Sequence, residues 1–243
     1  MCNLSSKTKN LFCLPFAGGS FYAYRDFGKH TAEFIHVHAI DIPGHGRRMR
    51  EPLLFNIHKI AEDIFNQIKD KLTTQPYAVY GHSMGALLAY LLSEKILARN
   101  LPMPEHLFLS GRYAPSVSNK EKKWHLLSHE EFIQKVIRYG GIPAEVAAEK
   151  DLMDMFVPIM KADFQAVSEY QYQEKEPLNI PINVFIGLNE NITYSEALKW
   201  QDITTQPVSV KQFSGGHFFI FDHLPEIGKI ISRELNPNDF GNP

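Results

Sequence analysis

Gly81-His82-Ser83-Met84-Gly85 sets a serine between two glycines in a G-x-S-x-G pattern. The apolar run Tyr77-Ala78-Val79-Tyr80 leads into it, and Ala86-Leu87-Leu88-Ala89-Tyr90, helical in character, leads away. Strand, sharp turn and helix in that order make a nucleophile elbow, in which glycines leave room for a strained turn that holds a serine hydroxyl exposed above a parallel sheet. The bare pattern is weak, because three fixed positions match by chance in about one chain of this length in ten. The flanks carry the reading: Ser83 is the candidate nucleophile of an enzyme.

A serine at neutral pH needs a base. His217, in Gly215-Gly216-His217-Phe218-Phe219 directly after the last predicted strand, is the candidate, since the glycines let the backbone bring its ring against another strand's turn. The acid is less determined. Glu190 ends Phe185-Ile186-Gly187-Leu188-Asn189-Glu190, three residues past a glycine at a strand end, and is preferred over Asp202, Asp163 and Asp222. Asp41 lies at the same sheet edge but in an unusual position for this role. The chain order Ser83, Glu190, His217 is that of α/β-hydrolase triads. Two backbone donors are expected to hold an oxyanion: the Met84 N–H, immediately after the nucleophile, and the Ala17 N–H, with Phe16 as its neighbour, in Leu14-Pro15-Phe16-Ala17-Gly18-Gly19-Ser20. That loop has neither the G-x-G-x-x-G of a dinucleotide site nor the G-K-[ST] of a phosphate loop, which disfavours nucleotide binding. His36 with His38, and His125 with His129, are spaced to share a face, but neither pair brings further ligands or an H-E-x-x-H pattern, so no metal and no cofactor is expected. His82 is read as a local packing or hydrogen-bonding residue.

These residues need a frame. Leu11 to Leu14, Val37 to Ile40, the elbow run, His106 to Ser110, Ile182 to Ile186 and Val208 to Phe213 read as strands. Between them lie helical patterns, clearest after Asn56, a candidate N-cap, where Ile57, Ile60, Ala61, Ile64, Phe65, Ile68 and Leu72 form one stripe. A closing helix is expected over about 225–235. Strands alternating with helices predict an α/β fold, a mostly parallel sheet flanked by helices on both faces. From about 115 to 177 no strand is evident, and Phe132, Val136, Ile137, Leu152, Met155, Phe156, Ile159 and Met160 recur at helical spacing. This predicts one domain over 1–243 with its core in 1–114 and 178–243 and a helical lid insertion between; Ser118 to Lys123 is a charged hinge candidate or simply a solvated loop. A net charge of −2 over 243 residues provides no basic footprint for nucleic acid or an anionic membrane. No apolar run is long enough to span a bilayer and no secretory signal is visible, and the two cysteines, Cys2 and Cys13, do not make a disulfide framework; a cytoplasmic setting is expected.

Four segments then carry a resemblance. Leu14-Pro15-Phe16-Ala17-Gly18-Gly19, Pro43-Gly44-His45-Gly46-Arg47-Arg48, Gly81-His82-Ser83-Met84-Gly85 and Gly215-Gly216-His217-Phe218 resemble, in order and spacing, the signature blocks of type II thioesterases. These are stand-alone α/β-hydrolases of nonribosomal peptide and polyketide synthases, related to the medium-chain thioesterase of mammalian fatty acid synthesis. The resemblance spans nearly the whole chain: Tyr139-Gly140-Gly141-Ile142-Pro143-Ala144-Glu145 and Ala162-Asp163-Phe164 look like the family's lid segments, and Trp200 also fits. It implies hydrolysis of acyl groups from the phosphopantetheine thiol of acyl or peptidyl carrier domains, clearing stalled chains, with Ser83 and His217 as nucleophile and base. Glu190 departs from the family, which usually has Asp there. Under this reading Met153, Met155, Phe156, Met160 and Phe164, with Phe16, are candidates for an acyl channel, and Arg47 and Arg48 could meet a carrier's acidic face or the arm's phosphate. The alternatives are a carboxylesterase or lipase-like enzyme acting on oxygen esters, and a non-catalytic interaction module of the same fold. A monomer suffices for any of them.

Overall fold

Leu11, Phe12, Cys13 and Leu14 are fully buried, and a strand whose successive side chains alternate across a sheet can be so only if both faces are covered. The computed structural model describes residues 8–117, 123–142 and 144–236. Residues 118–122 of the hinge candidate Ser118 to Lys123, with Cys2 and Pro143, lie outside the described residues.

Six strands, β1 (Lys9–Leu14), β2 (Ile35–Ala39), β3 (Tyr77–His82), β4 (Leu107–Ser110), β5 (Ile182–Gly187) and β6 (Val208–Phe213), form one sheet in the order β2-β1-β3-β4-β5-β6. Every pairing is parallel, as strands linked by helical crossovers require. Phe12, Leu14 and Val79 face one core, closed by α1 (Ile57–Ile68) and α2 (Met84–Ala98). Leu11, Cys13, Ala78 and Tyr80 face the other, closed by Tyr24, Phe27 and the final helix α7 (Leu224–Glu234). The central strands are therefore continuously apolar, whereas the edge strand β6 alternates and exposes Ser209 and Lys211.

Asn56 caps α1, its side chain accepting from the N–H groups of His58 and Lys59, and Ile57, Ile60, Ala61, Ile64, Phe65 and Ile68 form the buried face that the spacing predicts. Between β4 and β5 the described residues contain no strand. Three helices lie there: α3 (His129–Arg138), α4 (Ala144–Ala147) and α5 (Lys150–Ser168). They build a third small core from Phe132, Val136, Met153, Val157 and Met160. A short helix, α6 (Tyr194–Leu198), and a 3-10 turn ending at Ile203 join β5 to β6 and bury Trp200. No helix among the described residues is long and apolar enough to cross a membrane.

Chain direction across this sheet decides where a site can form. From β1 the chain moves outward to β2, then crosses back to lay β3 on the other side of β1 and continues in that direction. The reversal leaves a crevice beyond the carboxyl ends of β1 and β3, which is where ligands bind in open parallel sheets. The loop after β1 holds Ala17 and the turn after β3 holds Ser83.

Candidate active site

Ser83 sits at φ 53° and ψ −114°, a conformation costly for a residue with a Cβ, and is the residue immediately before α2. Its neighbours make the turn possible. A Cβ at Gly81 would lie 2.1 Å from the Gly85 carbonyl oxygen, and one at Gly85 would lie 2.5 Å from the Leu14 carbonyl oxygen, so glycine is required for α2 to start this close to β3 and β1. The Ser83 N–H donates to the Ser110 carbonyl at 2.8 Å, tying the elbow to the end of β4. Met84 opens α2, so its N–H is one of the donors that no helical carbonyl can satisfy. Ser83, Met84 and Ala17 border one cavity of about 420 Å³.

His217, from the loop after β6, and Glu190, from the loop after β5, are both buried, and His217 Nδ1 donates to Glu190 Oε2 at 2.9 Å. A carboxylate oxygen only accepts, so Nδ1 carries the proton and Nε2 is the ring nitrogen left for proton transfer. The second carboxylate oxygen of Glu190 accepts from the Gly187 N–H at 2.7 Å, which anchors the side chain to the end of β5. The imidazole is enclosed by rings: Tyr139 at 4.3 Å, His82 at 4.7 Å and Phe218 at 5.0 Å between centroids. His82 is fully buried, and burial, then repulsion from His217, holds its pKa well below the ordinary value. It is therefore neutral, and its Nδ1 lies 3.0 Å from the Ser110 hydroxyl, the local role expected of it.

The structure joins Glu190 to His217 and places the alternative acids elsewhere. Asp163, on α5, accepts from the Gly18 N–H at 2.7 Å and lies 2.9 Å from His45 Nε2. Asp41 accepts from the N–H groups of Phe21 and Arg47 and from Arg47 Nε. Asp202 is exposed beside Lys199, and Asp222 is exposed after a short 3-10 turn.

Of the candidates for an acyl channel, Phe164 borders the cavity. The others lie elsewhere. Met155 is 41% exposed, Met153 and Met160 are buried in the core of the helical insertion with Phe156 against it, and Phe16 joins Phe218 and Phe221 in an aromatic cluster. Helical periodicity identifies the apolar face of α5 but not which part of that face meets the sheet and which meets α3. Sequence reasoning missed most of the wall. Trp124 stacks on Phe164 at 5.2 Å and meets Tyr139 edge-on at 5.3 Å, so three aromatic rings line the insertion side. Gly111, Arg112 and Tyr113 follow β4, and Asn191 and Ile192 follow Glu190; all five border the cavity. The rule that strand carboxyl ends line such sites could have found these five. Arg47 and Arg48 are engaged within the chain, Arg47 with Asp41 and Arg48 with Asp63 and Glu51. Among the described residues no group of three His, Cys, Asp or Glu side chains is arranged to hold a metal ion.

A half-buried serine on a strained turn beside two backbone donors at one cavity, and an imidazole oriented by a carboxylate at the same edge of the sheet, have the parts for acyl transfer through a serine ester. The chain's likenesses agree. A family model described as Thioesterase domain matches residues 9–235. The gramicidin S biosynthesis protein GrsT of Aneurinibacillus migulanus is 35% identical over 235 residues, covering 96% of this chain and 91% of that protein. The medium-chain S-acyl fatty acid synthase thioesterase of Homo sapiens is 29% identical over 236 residues, covering 94% and 86%. Among solved structures, ClbQ from the colibactin NRPS/PKS pathway superposes with a TM-score of 0.89 at 30% identity, covering 94% of this chain and 97% of that one. The type II thioesterase BorB from the borrelidin biosynthetic cluster does so with a TM-score of 0.86 at 32% identity, covering 95% and 94%.

Proposed function

The chain belongs to the thioesterase family, and from that premise we propose that it is a type II enzyme, releasing acyl groups from the phosphopantetheine thiol of acyl or peptidyl carrier domains of a nonribosomal peptide or polyketide synthase. The observation that supports the reading is Ser83, at its positive φ after β3, on the same sheet edge as the His217–Glu190 pair from the loops after β6 and β5, with Gly111 after β4 lying against the His217 ring. In this reading His217 Nε2 takes the Ser83 proton as Oγ attacks the thioester carbonyl. The N–H groups of Met84 and Ala17 hold the resulting oxyanion, and the C–S bond breaks as His217 returns the proton to the thiolate. Water, deprotonated by the same imidazole, then attacks the serine ester and restores Ser83 with release of the acid. Residues 115–177 act as the lid, and its aromatic face bounds the acyl group. No metal or cofactor takes part. The reading also makes the enzyme a cytoplasmic monomer, checked by fractionation and size-exclusion chromatography.

Mass spectrometry of carrier domains loaded with a panel of acyl groups tests this directly. The wild-type chain is expected to return free carrier thiol, and Ser83→Ala to leave the acyl group in place; equal release by both would refute the assignment of Ser83. A higher kcat/KM on oxygen esters than on matched carrier thioesters would favour an esterase instead. Failure of a fluorophosphonate to label Ser83 in the folded protein would indicate a non-catalytic module.

A further inference from the structure

His45 lies beneath α5 with a side chain only 2% exposed, and its two ring nitrogens face two acceptors. Nδ1 is 3.0 Å from the Pro43 carbonyl oxygen, and Nε2 is 2.9 Å from Asp163 Oδ2. A neutral imidazole has one N–H, and neither a carbonyl nor a carboxylate can supply another. Both contacts are hydrogen bonds only when the pair holds one proton more than a neutral histidine beside an ionised aspartate, that is, as an imidazolium against the Asp163 carboxylate. The same Oδ2 accepts from the Gly18 N–H at 2.7 Å. Gly18 follows Ala17, and it meets α5 so closely at φ +75° that a Cβ there would lie 2.7 Å from Met160 Cγ.

We propose that Asp163 is a positioning residue of the thioesterase: from the lid it fixes the loop that presents the Ala17 oxyanion donor, and the fixation lasts only while Asp163 and His45 share their extra proton. This rests on the reading of the Ala17 loop as half of the oxyanion site. Deprotonation of His45 leaves either Pro43 or Asp163 facing a lone pair inside the protein, an unmade hydrogen bond that weakens the seat of α5 on the loop. Asp163 faces His45 from α5, and Asp41, itself paired with Arg47, acts on it from the loop after β2. Burial opposes the imidazolium, but the hydrogen bond and charge of Asp163, the Pro43 carbonyl and Asp41 outweigh it and raise its pKa above the ordinary value. A histidine whose pKa is raised by folding contributes stability that is complete below about 6.5, its unfolded value, and is lost as pH climbs through the folded value. Lid closure and turnover are thus expected to decline together on the alkaline side.

Asparagine at 163 cannot reproduce the junction. Its amide oxygen can still accept from the Gly18 N–H and from a His45 Nε2–H, but without the carboxylate charge His45 loses its extra proton and its Nδ1 lone pair faces the Pro43 carbonyl. In the full-length protein, ¹⁵N-edited NMR at pH 7 is expected to find His45 protonated at both nitrogens and the Gly18 amide slow to exchange. In Asp163→Asn that amide exchanges faster and the alkaline limb of the kcat profile on a small acyl thioester moves. There kcat falls by about 10-fold to 10²-fold, less than loss of an oxyanion donor outright, with KM nearly constant. If Asp163→Asn does not fold, His45→Gln serves for the exchange and pH measurements beside the wild-type spectrum. A neutral His45 at pH 7, or a Gly18 amide and alkaline limb unchanged in the variant, overturns the proposal. The NMR readouts require no turnover, so failure of the thioesterase reading would appear separately, as wild-type enzyme inert on every carrier.

Discussion

Glu190, where the family resemblance leads one to expect Asp, holds the histidine because its two oxygens have separate tasks. One is held by the Gly187 N–H and the other by His217 Nδ1–H, so the extra methylene is taken up in the turn that leaves β5. Glutamine would have to choose. With its carbonyl on Gly187, its amide N–H2 faces Nδ1 and selects the tautomer with the proton on Nε2, where the lone pair is needed. Glu190→Gln is accordingly expected to lower kcat by about 10³-fold to 10⁴-fold with little change in KM. Glu190→Asp cannot span both partners and falls between this and wild type. Steady-state kinetics on a thioester check both, and a near wild-type rate for Glu190→Gln would remove Glu190 from the mechanism. At this scale Ser83, His217 and Glu190 were legible because each lies at a strand end marked by glycines. The partners of Asp163 were not: Gly18 is 145 positions away and His45 is 118, and no local pattern encodes such a meeting.

Elements bring these residues together through glycines at close approaches. Gly85→Ala would drive a Cβ into the Leu14 carbonyl, backbone that cannot swing aside, so a loss of about 3 kcal/mol or more, or failure to fold, is expected in chemical denaturation. Gly111→Ala separates stability from activity. Its φ of +62° costs an alanine about 1–2 kcal/mol. The added methyl also lies 2.4 Å from His82 Cε1 and 3.1 Å from His217 Cε1, pushing both rings. A displacement near 1 Å is worth about 10²-fold in rate, so activity should fall far more than the denaturation midpoint. Retained activity with only the stability loss would mean that the rings yield without moving Nε2. The parallel strands and α1 were legible because period and caps are local properties. The insertion's helices were legible as helices, but their contacts were not: Met155 shares the helical spacing of Ile159, yet one is exposed and the other buried.

At the scale of the whole molecule, the sheet fixes the reacting groups while the insertion sets how much room the acyl group has. Ser83, Met84 and Ala17 stand at the reversal of strand order, a place determined by chain topology. Trp124, Tyr139 and Phe164 come from the segment between β4 and β5, and Tyr139 touches the cavity and the His217 ring at once. Rings stacked on one another present a stiff wall, so the chain length accepted should depend on them and the chemical step should not. Trp124→Ala removes the ring that bridges Phe164 and Tyr139 and opens the cavity on that side. Each further methylene buried there is worth about 0.8 kcal/mol, close to fourfold in kcat/KM. The variant should therefore shift its optimum toward longer or bulkier acyl groups in a carrier-loaded series, at little loss in kcat on acetyl. A spectrum of acyl preferences unchanged by Trp124→Ala, in protein of wild-type stability, would place the acyl group away from Trp124, along a part of the wall such as that of Tyr113 and Ile192.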